Sequence, residues 1–354
     1  MKRERASGVA RFVLATGATA LAACTIWAAI DDPYKTDVAS AGVMGSADAD
    51  AESGVDGSAD AEAESPTNRA LDAGFVPTGI GVYGDTVYAV DDQAQVHVAY
   101  DASTSFTSFW TGDAGGKVAV EKNGVAASAA GVFWTVSGGV HYCGMDGSDC
   151  GFLASTNARE IAASDSVVSW IDDTGVRICT IPLATCTPVA AVASKTAESL
   201  AAGPNAAIAW IAGDTTIHFA NGVDGGILHL DPYEVDVIAT DATSGALYWE
   251  GEEQIGFLPF DGRGDSGSSV LTSSTKPTAL FANRGVVYWS LANSNLQHCR
   301  LGPGANCTPH NLAATGLPSP QTTHGIVVTS SRVLAVVSSD HSLYLPQLVE
   351  WSVP

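Results

Sequence analysis

A short apolar run ending in tryptophan returns along this chain about every 41 residues, and that spacing restricts the available folds more than any other feature. The clearest copies are Val132-Phe133-Trp134-Thr135, Val168-Ser169-Trp170, Ile208-Ala209-Trp210, Leu247-Tyr248-Trp249 and Val287-Tyr288-Trp289. Weaker copies, Val87-Tyr88-Ala89 and Val333-Leu334-Ala335, stand at the two ends of the series. Each copy follows an alternating apolar run and a Gly/Asp/Asn turn, and each leads through a polar turn into a further strand. A 40–45-residue period carrying about four short strands is the pattern of propeller blades, and the 3.6-residue periodicity of helical repeats is missing. The expectation is an all-β fold: residues 73–354 as a seven-bladed β-propeller, with six blades as the alternative. Trp134, Trp170, Trp210, Trp249 and Trp289 are expected to pack between adjacent blades.

The second copy can be divided into strands near Val125–Ser128, Val132–Val136, Val140–Gly144 and Gly151–Ser155, with Asp146-Gly147-Ser148-Asp149 turning the third into the fourth. The 37 glycines and 15 prolines punctuate the chain too often for long helices. A formal charge of −22 opposes binding to phosphate backbones and argues against a nucleic-acid partner.

The N-terminus carries a different signal. Lys2, Arg3, Arg5 and Arg11 precede an apolar stretch, Phe12–Ala23, which is shorter than a bilayer-spanning helix and has the layout of a secretory signal. Its end, Leu21-Ala22-Ala23-Cys24, resembles the bacterial lipobox. That resemblance implies a signal peptide over residues 1–23, diacylation of the Cys24 thiol, cleavage before Cys24 and acylation of the new amine, so that the acyl chains hold the protein on a lipid bilayer. Thr25, where an aspartate would imply retention at the inner membrane, implies the outer membrane, on its periplasmic or its surface face. Residues 24–72 read as an acidic tether, because Asp48, Asp50, Glu52, Asp56, Asp60, Glu62 and Glu64 stand among Ala, Ser and Gly with few large apolar side chains. The Asp48-x-Asp50-x-Glu52 run has no twelfth-position glutamate between helices, so a calcium loop is not expected.

Val287-Tyr288-Trp289-Ser290 and Val132-Phe133-Trp134-Thr135, the latter followed by Met145-Asp146-Gly147-Ser148, resemble the YWTD repeats of lipoprotein-receptor propellers. Val136 replaces the aspartate of that motif, so the resemblance implies the bladed ring and not the receptor's ligand. The chain is also similar to uncharacterised repeat lipoproteins of Gram-negative bacteria with paired cysteines.

Seven cysteines divide into Cys24 and three pairs, Cys143/Cys150, Cys179/Cys186 and Cys299/Cys307. Each first cysteine lies 9 or 10 residues beyond its tryptophan, and an exported chain makes disulfides within a blade the expectation. Val98, Phe219, Phe257 and Tyr344, 8 or 9 residues beyond the repeat position of their blades, are read as the equivalent position elsewhere. A zinc site shared by the first four cysteines would leave the third pair unexplained. His97, His218 and His298, each just before that position, read as equivalent strand positions too far apart for one metal. Arg263-Gly264-Asp265 and the Asn306-Cys307-Thr308 sequon read as chance.

Neither a Gly-x-Ser-x-Gly elbow nor a cofactor motif is present, and no cofactor or metal site is expected. The turns after the tryptophan strands hold Asp91, Asp92, Asp172, Asp173, Asp214, Glu250, Glu252, Glu253 and Asp340, which a ring would gather on one face as an acidic binding surface for a basic protein or a divalent cation. The functional expectation is an envelope lipoprotein whose propeller is a binding module. The alternatives are a propeller hydrolase using Asp172 and Asp173 or Glu252 and Glu253 as acid and base, or a passive structural envelope protein.

Overall fold

Alternation of apolar and polar residues between closely spaced turns produces short antiparallel strands, and the computed structural model contains 28 of them among the described residues. Those residues are 68–353 except 102, 104, 113–123, 183–188, 192–196, 213–215, 222–223, 230–234, 242–244, 252–253, 260–267, 273–275, 292–295, 301–306, 313–320 and 340–344. The segment expected to be a signal peptide, Cys24 and the acidic run lie outside them.

The chain enters through β1 (Asn68–Leu71) and then forms blade one from β2 (Pro77–Tyr83), β3 (Thr86–Asp91), β4 (Val96–Tyr100) and β5 (Thr107–Trp110). Blade two is β6 (Val125–Ser128), β7 (Gly131–Val136), β8 (Gly139–Cys143) and β9 (Gly151–Ala154), within a residue or so of the sequence-based boundaries. Blade three is β10 (Glu160–Ala163), β11 (Val167–Asp172), β12 (Gly175–Thr180) and β13 (Val189–Ala191). Blade four is β14 (Ala197–Ala202), β15 (Ala207–Ala212), β16 (Thr216–Asn221) and β17 (Asp224–His229). Blade five is β18 (Val237–Asp241), β19 (Ala246–Gly251), β20 (Gln254–Pro259) and β21 (Ser268–Thr272). Blade six is β22 (Pro277–Asn283), β23 (Val286–Leu291), β24 (Leu296–Arg300) and β25 (His310–Asn311). The last three strands, β26 (Gln321–Val328), β27 (Arg332–Ser339) and β28 (Gln347–Ser352), form blade seven with β1 as its outer strand. Each innermost strand touches the next, and β26 returns to β2, so the seven sheets close into a seven-bladed β-propeller.

Closure corrects one boundary. Asn68–Leu71, which composition places in the tether, pairs antiparallel with Trp351–Leu348 and completes the last blade. Four residues with a single large apolar side chain, Leu71, carry little compositional signal, yet β28 would otherwise present an open edge to water.

Seven apolar clusters fill the seven spaces between neighbouring blades. The aromatic-tryptophan pairs follow from strand geometry, since adjacent residues point to opposite faces. Trp134 packs back against Val90 and Val96 of blade one, while Phe133 packs forward with Ile161 and Trp170 of blade three. All five repeat tryptophans are buried, none more than 1% exposed.

Two interfaces lack that tryptophan. Between blades six and seven, Ala335 holds the repeat position, and Trp351 from β28 joins the same cluster. Between blades seven and one, where Ala89 holds it, a polar seam adds to the apolar contacts of Ile80, Val87 and Leu334. Asp101 accepts hydrogen bonds from the hydroxyls of Thr329 (2.9 Å), Ser330 (3.0 Å) and Ser331 (2.5 Å). Buried Arg332 donates to the carbonyls of Ser103 and Tyr100 and lies 3.6 Å from Glu350, which also pairs with Arg69 of β1 at 3.1 Å.

Candidate functional site

Within each antiparallel blade the second-to-third strand turns lie at the opposite end from the first-to-second and third-to-fourth turns. The described carboxylates of the expected acidic face stand at or beside those second-to-third strand turns, and they do different things. Asp91 and Asp172 each end the second strand of a blade and are 5% and 2% exposed. Asp91 Oδ1 accepts from the backbone N–H of Gln93 (2.9 Å) and Gln95 (2.8 Å), and Oδ2 contacts His97 Nε2 at 2.8 Å. Asp172 Oδ1 accepts from the N–H (2.7 Å) and hydroxyl (2.5 Å) of Thr174, and Oδ2 from Thr156 (2.8 Å) and Arg177 Nε (2.9 Å).

These two carboxylates close their turns from inside. Burial pushes the Asp172 carboxyl up, but the bonds from Thr174, Thr156 and Arg177 outweigh it and hold its pKa at about 2. Glu250 is also fully buried. Three of the nine expected face residues thus offer no open carboxylate to a partner; for Asp91 and Asp172 the reason is that a short polar turn at a strand end satisfies its own N–H groups with the nearest acid.

Asp173 is exposed, accepting from Asn157 Nδ2 at 3.3 Å, and Asp92 is half-buried. Asp214, Glu252, Glu253 and Asp340 lie outside the described residues. Among the described residues no cluster of three or more His, Cys, Asp or Glu is placed to hold a metal.

The cysteines follow the repeat. Cys143–Cys150 and Cys299–Cys307 are disulfides within blades two and six. Cys179 is also disulfide-bonded, while Cys186 lies outside the described residues. Register corrects the equivalences drawn by counting. Cys143, Cys179 and Cys299 sit opposite Val132, Val168 and Val287, two residues before each tryptophan. The residues in that place elsewhere are Ala99, Ala220, Leu258 and Trp351, not Val98, Phe219, Phe257 and Tyr344. Turn length varies between blades, and a one-residue slip moves a side chain to the opposite face.

The histidines separate likewise. His97 and His218 lie opposite the tryptophan position, as does His141, whereas His298 lies opposite Tyr288. His218 stacks on Trp210 with ring centres 5.3 Å apart, and His141 on Trp134 at 5.7 Å.

The inner strands of all seven blades line a central cavity of about 160 Å³, whose lining includes Ala126, Ala162, Ala201 and Ile238. A second, larger groove of about 500 Å³ runs along the closing strand, between Ala70–Pro77 and Pro346–Leu348.

No protein-family model matches the sequence, and no curated relative matches it. Solved structures do match the fold. One described as YCF48 bound to D1 peptide is 12% identical, with a TM-score of 0.59 over 83% of this chain and 96% of that one. A mitotic checkpoint complex structure gives 13% identity and a TM-score of 0.62 over 88% of this chain and 99% of the matched one. The RRP9 WD40 repeats give 10% identity and 0.61, over 82% and 99%. At such identities the likeness establishes the class, a seven-bladed propeller, and nothing about ligands.

Proposed function

We propose that this chain is a lipid-anchored envelope protein whose propeller binds a protein partner and performs no chemistry of its own. The observation that carries the binding reading is the closed ring, a rigid disc that presents seven sets of turns on each face. Propellers of the same class include one solved with a bound peptide and one within a checkpoint complex. Residues 68–354 hold 11 Lys and Arg against 27 Asp and Glu, a net of −16, so a basic partner surface is the complement. The face that bears Asp92 and Asp173 is the docking side of this reading, with Asp91 and Asp172 holding the turns in shape.

The lipobox-like Leu21-Ala22-Ala23-Cys24 supports anchoring, and Thr25 supports the outer membrane. The acidic segment before Asn68 then spaces the ring from the bilayer.

The test is recovery of a partner with the full chain from envelope extracts. A basic protein should co-purify at 0.1 M salt and be lost at 1 M, where the Debye length falls from about 10 Å to about 3 Å. Asp92→Lys with Asp173→Lys should reduce recovery while leaving the ring folded. Unchanged recovery from that variant and at 1 M salt would contradict the reading.

A further inference from the structure

The outer edge of blade six carries two histidines side by side, and neither belongs to the acidic face. His298 on β24 and His310 on β25 are direct cross-strand partners, with ring centres 5.6 Å apart and planes inclined by 32°. Four other histidines are engaged elsewhere: His97 contacts Asp91, His141 and His218 stack on interface tryptophans, and His324 contacts Ser338.

The spacing suits a shared ion. A tetrahedral zinc with Zn–N bonds of about 2.0–2.1 Å holds two imidazole ring centres about 5.2 Å apart, close to the spacing seen here, and turning the rings about their side-chain torsions would bring one nitrogen of each to a common ion. The scaffold beneath is already ordered. Gln297 accepts from Trp289 Nε1 at 3.0 Å and donates to Asn311 at 2.7 Å, which fixes the neighbouring cross-strand pair on the other side of the sheet. The Cys299–Cys307 disulfide ties the residue after His298 to the approach to β25. Tyr288 stacks on the far side of His298 at 5.5 Å. Burial, and then the neighbouring His310, hold His298 below the ordinary histidine value and so favour the neutral form that ligates metal.

We propose that His298 and His310 bind one divalent transition-metal ion of the zinc class, each through one ring nitrogen. With no third protein ligand among the described residues, the remaining positions fall to water or to a side chain of a docked partner. The site is independent of the binding reading above and stands or falls separately.

The test is calorimetric titration of the full chain with zinc chloride, alongside His310→Ala, together with residue-resolved mass spectrometry of histidine carbethoxylation. His310 is exposed, so its replacement leaves the fold intact. The expected result is one zinc site weakened about tenfold or more in His310→Ala, and zinc-dependent protection of both His298 and His310 in the parent. Equal titration of parent and variant, or carbethoxylation of both residues undiminished by zinc, would overturn the proposal.

Discussion

Asn68 pairs across the sheet with Trp351, so the first described strand and the last are neighbours in one blade although 283 residues separate these two partners. The ring is therefore closed by hydrogen bonds between the two ends of the domain, and damage at either end should be felt at the other. Leu71→Ala removes the buried side chain of the closing strand and should cost about 2 kcal/mol, at the low end for a core truncation. Hydrogen exchange should then show the largest loss of protection in β28 and β1. Uniform loss around the ring would contradict this local picture.

The seam between blades seven and one relies on Asp101. Asp101→Ala leaves the hydroxyls of Ser330 and Ser331 without this acceptor and that of Thr329 with only the Arg332 carbonyl, and should destabilise by about 1–2 kcal/mol in chemical denaturation. A change within about 0.5 kcal/mol, usual for a surface position, would contradict the role assigned to it.

Much of this architecture is legible in the sequence. A tryptophan is large enough to fill an interface alone, so its return every 41 residues or so records one blade after another. Less legible is anything that depends on turn length. Trp351 stands in the third-strand position that Cys143 holds in blade two, but the turn before it is longer, and counting from Ala335 does not reach it. Asp91 and Asp172 look in sequence like any other turn acid. Only the folded turn shows their oxygens filled by Gln93 and Gln95, or by Thr156, Thr174 and Arg177.

Gly256 makes a stringent packing test. A Cβ built there would lie 2.2 Å from the Trp249 ring, so even alanine forces the indole to move. Gly→Ala at an unstrained site stabilises by reducing unfolded-chain entropy, whereas Gly256→Ala should destabilise by about 1–3 kcal/mol through overpacking. Thermal unfolding followed by tryptophan emission gives the sign directly, and a raised melting temperature would contradict the packing described.

Asp172 predicts a pH dependence. Its folded pKa of about 2 lies below the ordinary 3.8, so its contribution is present above pH 4 and is lost as pH falls through about 2. The depression corresponds to about 2 kcal/mol. Asp172→Asn should therefore be less stable than the parent at pH 6, with the gap narrowing between pH 4 and pH 2. Asp173→Asn, altering an exposed carboxylate, should change stability by no more than about 0.5 kcal/mol. Equal effects of the two substitutions would contradict the division between buried and exposed turn acids.

Site-specific photo-cross-linking in cells producing the full chain tests the central claim, a ring anchored through Cys24 that binds a protein on the face bearing Asp92 and Asp173. A photoreactive residue at Asp173 should give a discrete cross-linked adduct in the membrane fraction. The same residue at Asp165, on the turns of the opposite face, should give none. Cys24→Ser should move the protein to the soluble fraction. Adducts of equal yield at Asp173 and Asp165, or a Cys24→Ser protein as membrane-bound as the parent, would contradict the account.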